Sequence, residues 1–252
     1  MSANTEVVLD FQGSRAVVTF RTEAGVNVLS PGVIKELGRV AAEIDRTADI
    51  RSVVFRAEGK AFLAGADIKA MQGFDRAAAH DMSVAGHSAL DQIERLAPVT
   101  IAAIHATAAG GGLEVALACD FRIGARGARM GLPEALLGLI PGWGGTQRLP
   151  RLIGRSAAKR LMLSGELITA EAAHQMGLVD ELVDSADQMG DAVDGFLARF
   201  DKAGPQAIGR LKRAMDQGNE QDNFAECFEH DECREGMAAF VEKRPARWGP
   251  SV

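Results

Sequence analysis

Hydrophobic residues recur along the chain at two spacings, and their alternation predicts an α/β protein. Short apolar runs, many of them β-branched, predict strands at 7–9, 16–20, 52–57, 99–104, 120–125 and 178–183. Between these runs, apolar residues spaced three and four positions apart predict helices. The first of these helices begins after Ser30 and Pro31 and runs to about Thr47. Up to about residue 185 the repeating unit is two strands, or a strand and a loop, followed by a helix, which is typical of α/β layers.

The pattern changes at about residue 187, after which only helical spacing remains. Helices are predicted at 192–200, 206–217 and 224–240. We therefore predict two regions, a core domain over 1–186 that holds the active site and a helical region over 187–252. The helical region carries more apolar positions than it can bury on itself, so we expect it to mediate oligomerisation.

A run of three glycines, Gly110–Gly112, lies between the predicted strand 99–104 and a helical pattern that ends near Cys119. Glycines allow a sharp turn and close approach of another atom. The N–H groups of Gly111 and Gly112 should lie unpaired at the positive end of the helix dipole, where a developing oxyanion can bind. Glu114 would stand beside that anion. The alternative is that the glycines only allow a strand to pack tightly on a helix, with Glu114 as a surface acid.

Composition and charge exclude several classes of protein. The 252 residues are 47% hydrophobic, enough for one large domain, and the net charge of −6 disfavours a nucleic-acid partner. The odd count of three cysteines indicates no disulfide framework. Neither end of the chain carries a targeting pattern and no apolar run is long enough to span a membrane, so we expect a cytoplasmic protein. The spacing of Cys227, His230 and Cys233 is not that of a zinc site, and no metal is predicted.

Four stretches resemble, in order, the motifs of the enoyl-CoA hydratase/isomerase (crotonase) superfamily. They are AFLAGADIK at 61–69, GGGLE at 110–114, LPEALLGLIPGWGGTQRL at 132–149 and EGMAAFVEKR at 235–244. The similarity extends from about residue 6 to residue 248, and four motifs in the family's order are far more specific than any one of them.

The resemblance implies a spiral of β-β-α units with a C-terminal helical trimerisation region, assembled as a homotrimer or a dimer of trimers. It implies an acyl-CoA thioester as the substrate, with coenzyme A as part of that substrate and no separate cofactor. Fatty-acid metabolism by β-oxidation is the expected setting.

The resemblance also implies the site residues. The backbone N–H groups of Ala66 and Gly111 match the oxyanion hole, and Glu114 and Glu134 match the two catalytic carboxylates of hydratases. Gly142 matches a backbone donor near the catalytic water. The remaining candidates for substrate binding are Ala64, Gly65, Asp67, Ile68, Gly110, Pro133, Trp143, Lys60, Lys69 and Lys243.

The chemistry of hydration explains why these residue types are needed. Two fixed backbone donors stabilise the enolate formed when water adds to a thioester-conjugated double bond. Two carboxyl groups in a shared apolar pocket can divide the proton transfers, because the pocket drives their protonation states apart. We assign Glu114 as the base towards water and Glu134 as the proton donor to Cα, an assignment that two coupled acids can exchange.

Some positions keep two interpretations. Lys60 and Lys69 are as well explained as solvated surface charges as by contacts with CoA phosphates, and the same holds for Lys243 at the adenine end. Asp67 fits a structural turn or helix cap.

The turn at 21–29 lacks the lysine often found there in the family. Trp143 replaces a small residue, and its indole is expected to shorten or reshape the acyl site.

The sequence also allows functions other than hydration. The same scaffold supports Δ3-Δ2 enoyl-CoA isomerisation, decarboxylation or thioester hydrolysis, and Glu114 favours hydration because isomerases commonly keep only the second carboxylate. An RNA-binding module is the non-enzyme alternative, based on the basic residues between Arg148 and Arg160, but the net charge weighs against it. A dinucleotide-binding turn fails because the last glycine of G-x-G-x-x-G is absent.

Overall fold

A computed structural model describes residues 5–23 and 25–248. The sequence predictions about targeting signals, made on the two ends of the chain, therefore lie largely outside the described residues, as does Ala24 of the turn at 21–29. Among the helices of the described part, none combines the length and the apolar character that crossing a bilayer would require.

Strands and helices alternate through the first three quarters of the chain, which confirms the predicted α/β class. The strands are β1 Glu6–Gln12, β2 Arg15–Arg21, β3 Ser52–Ala57, β4 Ala61–Leu63, β5 Val99–Ile104, β6 Thr107–Ala109, β7 Phe121–Ala125, β8 Arg129–Gly131, β9 Ile168–Thr169 and β10 Glu181–Val183. The helices are α1 Pro31–Arg46, α2 Ile68–Met71, α3 Arg76–Glu94, α4 Gly111–Leu117, α5 Gly145–Ile153, α6 Arg155–Ser164, α7 Ala170–Gln175, α8 Met189–Leu197, α9 Pro205–Gln217, α10 Glu220–Cys227 and α11 Asp231–Val241. Short 3₁₀ segments occur at Pro133–Leu137, Ala186–Gln188 and Ala198–Phe200.

The strands of the described residues form two sheets, and the chain passes from one to the other in each unit. The larger sheet has the order β1-β2-β3-β5-β7-β10 and is parallel except for the β1–β2 hairpin. The smaller has the order β4-β6-β8-β9, with β4, β6 and β8 parallel. Strands β3, β5 and β7 of the larger sheet are each followed by a short strand of the smaller sheet and then by helical structure. This succession confirms the spiral of β-β-α units that the resemblance implies.

The period-two pattern of the central strands sorts their side chains into two cores. On β3, Val53 and Phe55 enter the main core with α1, α3 and α4, whereas Val54 faces the opposite side of the sheet. There it joins Ile101 and the buried face of α8, which includes Phe196. The division of the chain at residue 186 stays a prediction, and α8, which lies beyond that residue, covers one face of the larger sheet.

Two predicted elements are corrected by the structure. The segment predicted as a loop at 58–69 contains β4 and the start of α2, which are too short to show a hydrophobic period. The helix predicted at 224–240 is two helices. His230 has an extended backbone and precedes Asp231 and Glu232, whose negative charges favour a new helix start at that point.

Candidate active site

One cleft brings together most of the residues predicted for the site. It lies where the smaller sheet gives way to the N-terminus of α4, and it has a volume of about 160 Å³. Its lining includes the predicted residues Ala64, Gly65, Ala66, Ile68, Gly110, Gly111, Glu114, Pro133, Glu134, Gly142 and Trp143. Sequence reasoning missed the other lining residues, Met71, Ala79, Met82, Ser83, Leu137, Leu139 and Ile140. Except for Ser83 these are apolar or small. Leu137, Leu139 and Ile140 lie inside the motif at 132–149, whereas Ala79, Met82 and Ser83 lie on α3, outside every motif.

Ala66 and Gly111 line this cleft from neighbouring segments, each with a backbone N–H group. The N–H of Leu29 donates to the Gly65 carbonyl at 2.8 Å and that of Asp67 donates to the Leu29 carbonyl at 3.2 Å. In such a parallel bridge the N–H of the intervening Ala66 is directed away from Leu29. Gly111 is the first residue of α4, where an amide has no partner within the helix. In the part of the chain that the structure describes, neither N–H has a hydrogen-bond acceptor.

Glycine makes the close approach of these two segments feasible. Gly65 has a φ of +108°, which L side chains rarely adopt, and a Cβ there would lie 3.1 Å from the Ala109 carbonyl oxygen and 3.9 Å from the Gly111 nitrogen. A side chain at this position would therefore separate the loop that carries Ala66 from the start of α4. Two amides without acceptors that line one cleft are the donors that an oxyanion hole requires.

Glu114 is held rigidly inside the cleft. The residue is 1% exposed, and its Oε1 accepts hydrogen bonds from the N–H groups of Trp143 and Gly145, each at 2.8 Å. Burial raises the pKa of this carboxyl, and the two backbone hydrogen bonds oppose the rise. Since both bonds fall on Oε1, Oε2 is the atom that can accept a proton from water.

Glu134 faces Glu114 from the 3₁₀ segment Pro133–Leu137. Its Oε1 lies close to the glycine turn, because a Cβ on Gly110 would come within 2.9 Å of it. Its Oε2 is buried with no hydrogen-bond partner among the described residues. Burial, with a contribution from the charge of Glu114, raises the pKa of Glu134 to about 7. A carboxyl group in this setting is protonated at neutral pH far more often than an ordinary glutamate, which suits a general acid.

Arg148 fixes the loop that holds Glu114, and sequence reasoning did not assign it this place. Its side chain is 6% exposed and donates to the Trp143 carbonyl at 2.8 Å, while the same guanidinium pairs with Glu94 and Asp91. Arg148, the first arginine of the basic stretch considered for RNA binding, is therefore buried and does not add to a basic surface.

Four predicted site residues do not line the cleft. Asp67 is the N-cap of α2, where its carboxylate accepts from the N–H groups of Lys69 and Ala70. Lys60, Lys69 and Lys243 are exposed. Their contacts with CoA stay a prediction.

Comparisons with known proteins identify the family of the chain. The family model described as enoyl-CoA hydratase/isomerase matches residues 10–251. The chain is 34% identical to the short-chain-enoyl-CoA hydratase of Clostridium acetobutylicum, covering 94% of this chain and 95% of that protein. It is 33% identical to the crotonyl-CoA hydratase of Syntrophomonas wolfei, covering 98% of each. Among solved structures, Pseudomonas aeruginosa DspI superposes with a TM-score of 0.90 at 34% identity, covering 99% of this chain and 98% of that one.

Proposed function

The chain belongs to the enoyl-CoA hydratase/isomerase family, and we propose that it adds water across the C2=C3 bond of a 2-enoyl-CoA to give a 3-hydroxyacyl-CoA. The enzyme class follows from relatives named as enoyl-CoA hydratases that match over nearly the whole chain. The observation that carries the proposed mechanism is the presence of Glu114 and Glu134 in one cleft, beside the amides of Ala66 and Gly111.

Each group has one task in the proposed reaction. The thioester oxygen accepts from the N–H groups of Ala66 and Gly111, which stabilise the negative charge that develops there. Glu114 takes a proton from water through Oε2 while the water oxygen bonds to C3, and the electrons of the double bond move into the enolate. Glu134 then gives its proton to C2. The net change is the addition of one water, and the proton held by Glu114 replaces the one that Glu134 has lost.

The electrostatics of the two carboxyls support this division of roles. Glu114 has two hydrogen bonds that favour its ionised form, which a base requires, whereas the buried Oε2 of Glu134 has none among the described residues. A charge on Glu114 also disfavours a second charge on Glu134. Burial raises the pKa of both carboxyls, so the pair favours holding one proton. In the proposed mechanism the two hydrogen bonds to Glu114 Oε1 place that proton on Glu134, although coupled acids can exchange it.

We further propose that the protein is a homotrimer or dimer of trimers that acts in cytoplasmic fatty-acid metabolism by β-oxidation, without a separate cofactor. Helices α9, α10 and α11 expose large apolar side chains, and Leu211, Met215, Phe224 and Phe240 are each more than half exposed. Patches of this kind mark interaction sites. The net charge of −6 weighs against a nucleic-acid partner.

The test of the proposed function is direct hydration. The purified protein is mixed with crotonyl-CoA, and loss of the conjugated enoyl absorbance is followed together with the mass of the product. We expect a product heavier than the substrate by one water, formed by the wild type and strongly reduced in Glu134→Gln. A product of unchanged mass, or free CoA, would assign the cleft to isomerisation or thioester hydrolysis.

A further inference from the structure

The indole of Trp143 fills the gap between α3 and α4 at one wall of the cleft. The residues that face it are glycines, Gly86 on α3 and Gly111 on α4. A Cβ on Gly111 would lie 2.7 Å from the indole Cε3, and a Cβ on Gly86 would overlap Cδ1, Nε1 and Cγ of the ring. Contacts this close do not occur for real Cβ atoms, so the ring requires glycine on both helices. We call Gly86 and Gly111 the indole seat.

Hydrogen bonds hold Trp143 in the indole seat. The ring Nε1 donates to the Met82 carbonyl of α3 at 3.3 Å. The backbone N–H of Trp143 donates to Glu114, and its carbonyl accepts from Arg148 at 2.8 Å. The residue is 4% exposed. Moving the ring aside would break its hydrogen bond and open a void, so the indole is a fixed wall of the cleft.

The wall lies next to the reacting centre. Gly111 supplies one of the two oxyanion N–H groups and also contacts the six-membered ring of the indole, while the Trp143 backbone holds the catalytic carboxyl of Glu114. The substrate carbons that follow the thioester carbonyl therefore meet the indole after a short distance. The cleft volume of about 160 Å³ is well below the roughly 300–1,000 Å³ usual for sites that enclose drug-sized ligands.

We propose that Trp143, placed by Gly86 and Gly111, sets the upper limit on acyl-chain length and makes the enzyme selective for short-chain 2-enoyl-CoA substrates. This inference rests on the proposed function, because it concerns the acyl group held at the same two glutamates. A longer chain must either displace a buried ring or lie along the exposed rim of the cleft. In both cases its added methylenes do not gain the transfer free energy that a fitted pocket would give.

The test is the dependence of kcat/KM on chain length for the crotonyl, hexenoyl, octenoyl and decenoyl thioesters of CoA. We expect a steep fall with length in the wild type. Trp143→Ala should raise the octenoyl-to-crotonyl ratio by about tenfold or more, on the scale by which single methylenes are discriminated, and Trp143→Phe should give an intermediate ratio. Trp248→Ala is the matched control, since it removes an indole outside the cleft and should leave the ratio unchanged. A wild type that hydrates decenoyl-CoA as well as crotonyl-CoA would overturn the proposal, and so would an unchanged ratio in Trp143→Ala.

Binding gives a readout that does not depend on turnover. Dissociation constants of butanoyl-CoA and octanoyl-CoA, measured by calorimetry, should be similar in the wild type, whereas Trp143→Ala should bind octanoyl-CoA more tightly. If the wild type hydrates no 2-enoyl-CoA, the proposed function fails while these constants still decide the chain-length limit. Tighter binding of octanoyl-CoA by the wild type would contradict the limit.

The indole seat has its own test, which also controls for folding. Gly86→Ala should lower the melting temperature of the wild type, because the new Cβ overlaps the ring. In the Trp143→Ala background the same change should raise the melting temperature, since alanine is a better helix former than glycine. Equal shifts in both backgrounds would show that the ring does not occupy the seat. Should Trp143→Ala not fold, Trp143→Phe provides the comparison in the kinetic and binding assays.

Discussion

Replacing Glu114 separates its catalytic role from its structural one. In Glu114→Gln the side-chain oxygen can still accept from the N–H groups of Trp143 and Gly145, so the loop at 142–145 keeps both bonds of 2.8 Å. The amide nitrogen then occupies the place of Oε2 and cannot take a proton from water. We expect hydration of crotonyl-CoA to fall by about 10²–10⁴, the share of a positioned base. Stability should not fall, since burial raises the pKa of Glu114 and the neutral amide carries no charge to bury.

Glu114→Ala removes the acceptor as well as the base. Two buried N–H groups lose their partner at a cost of about 1–3 kcal/mol each, so the free energy of unfolding should drop by about 2–6 kcal/mol. Hydration rates and denaturant unfolding are measured on both variants, with the exposed Glu229→Gln as the control that should change neither. Hydration by Glu114→Gln within tenfold of the wild type would refute the role as a base. Equal stability of Glu114→Ala and Glu114→Gln would refute the role of its oxygen in holding the loop.

Three further predictions concern Glu134, the oxyanion hole and assembly. The pKa of Glu134 is raised from 4.5 to about 7, so Glu134 loses the proton that it donates as pH rises through about 7. For this reason kcat/KM should fall as the pH rises through about 7. By linkage, the stability that Glu134 contributes is full below pH 4.5 and is lost as pH rises through about 7. Unfolding is therefore measured over this pH range for the wild type and Glu134→Gln. The same pH dependence in both proteins would count against the shifted pKa of Glu134. The oxyanion donor at Gly111 is tested in a Trp143→Ala background, because a new Cβ at position 111 would overlap the indole. In that background Gly111→Pro should be about 10²–10³ slower than Gly111→Ala, since only proline removes the N–H. Equal steady-state rates would exclude that donor. Phe240 is 85% exposed, so we expect it to lie in the interface between subunits. Phe240→Asp should then reduce the mass of the oligomer measured by light scattering. An unchanged mass would place the interface elsewhere.

The part of the site that is local in sequence could be predicted from it. The glycines at 110–112 and the helix formers after them predict an amide at a helix start and Glu114 in the first turn, and α4 begins at Gly111 with Glu114 in that turn. The start of α1 after Ser30 is predicted on the same local grounds, and the Ser30 side chain accepts a hydrogen bond from the N–H of Val33.

The remainder depends on contacts between distant segments. Strands of two or three residues such as β4 and β9 carry no detectable period, so the second sheet was not predicted. The position of Arg148 under the Glu114 loop is set by Asp91 and Glu94 on α3, far away in the chain. The need for glycine at position 86 follows only from the tertiary position of Trp143, and no local pattern in α3 indicates it.

We propose that two carboxyls in one cleft make this protein a hydratase rather than an isomerase. The most direct measurement is the rate of crotonyl-CoA hydration beside the rate of conversion of 3-hexenoyl-CoA to its conjugated isomer, for the wild type and for Glu114→Gln. We predict that hydration dominates in the wild type. Glu114→Gln should lose hydration to a much greater extent than any isomerisation, because isomerisation needs only one proton-transferring carboxyl. A wild type that isomerises faster than it hydrates, or a Glu114→Gln variant that hydrates normally, would contradict this proposal.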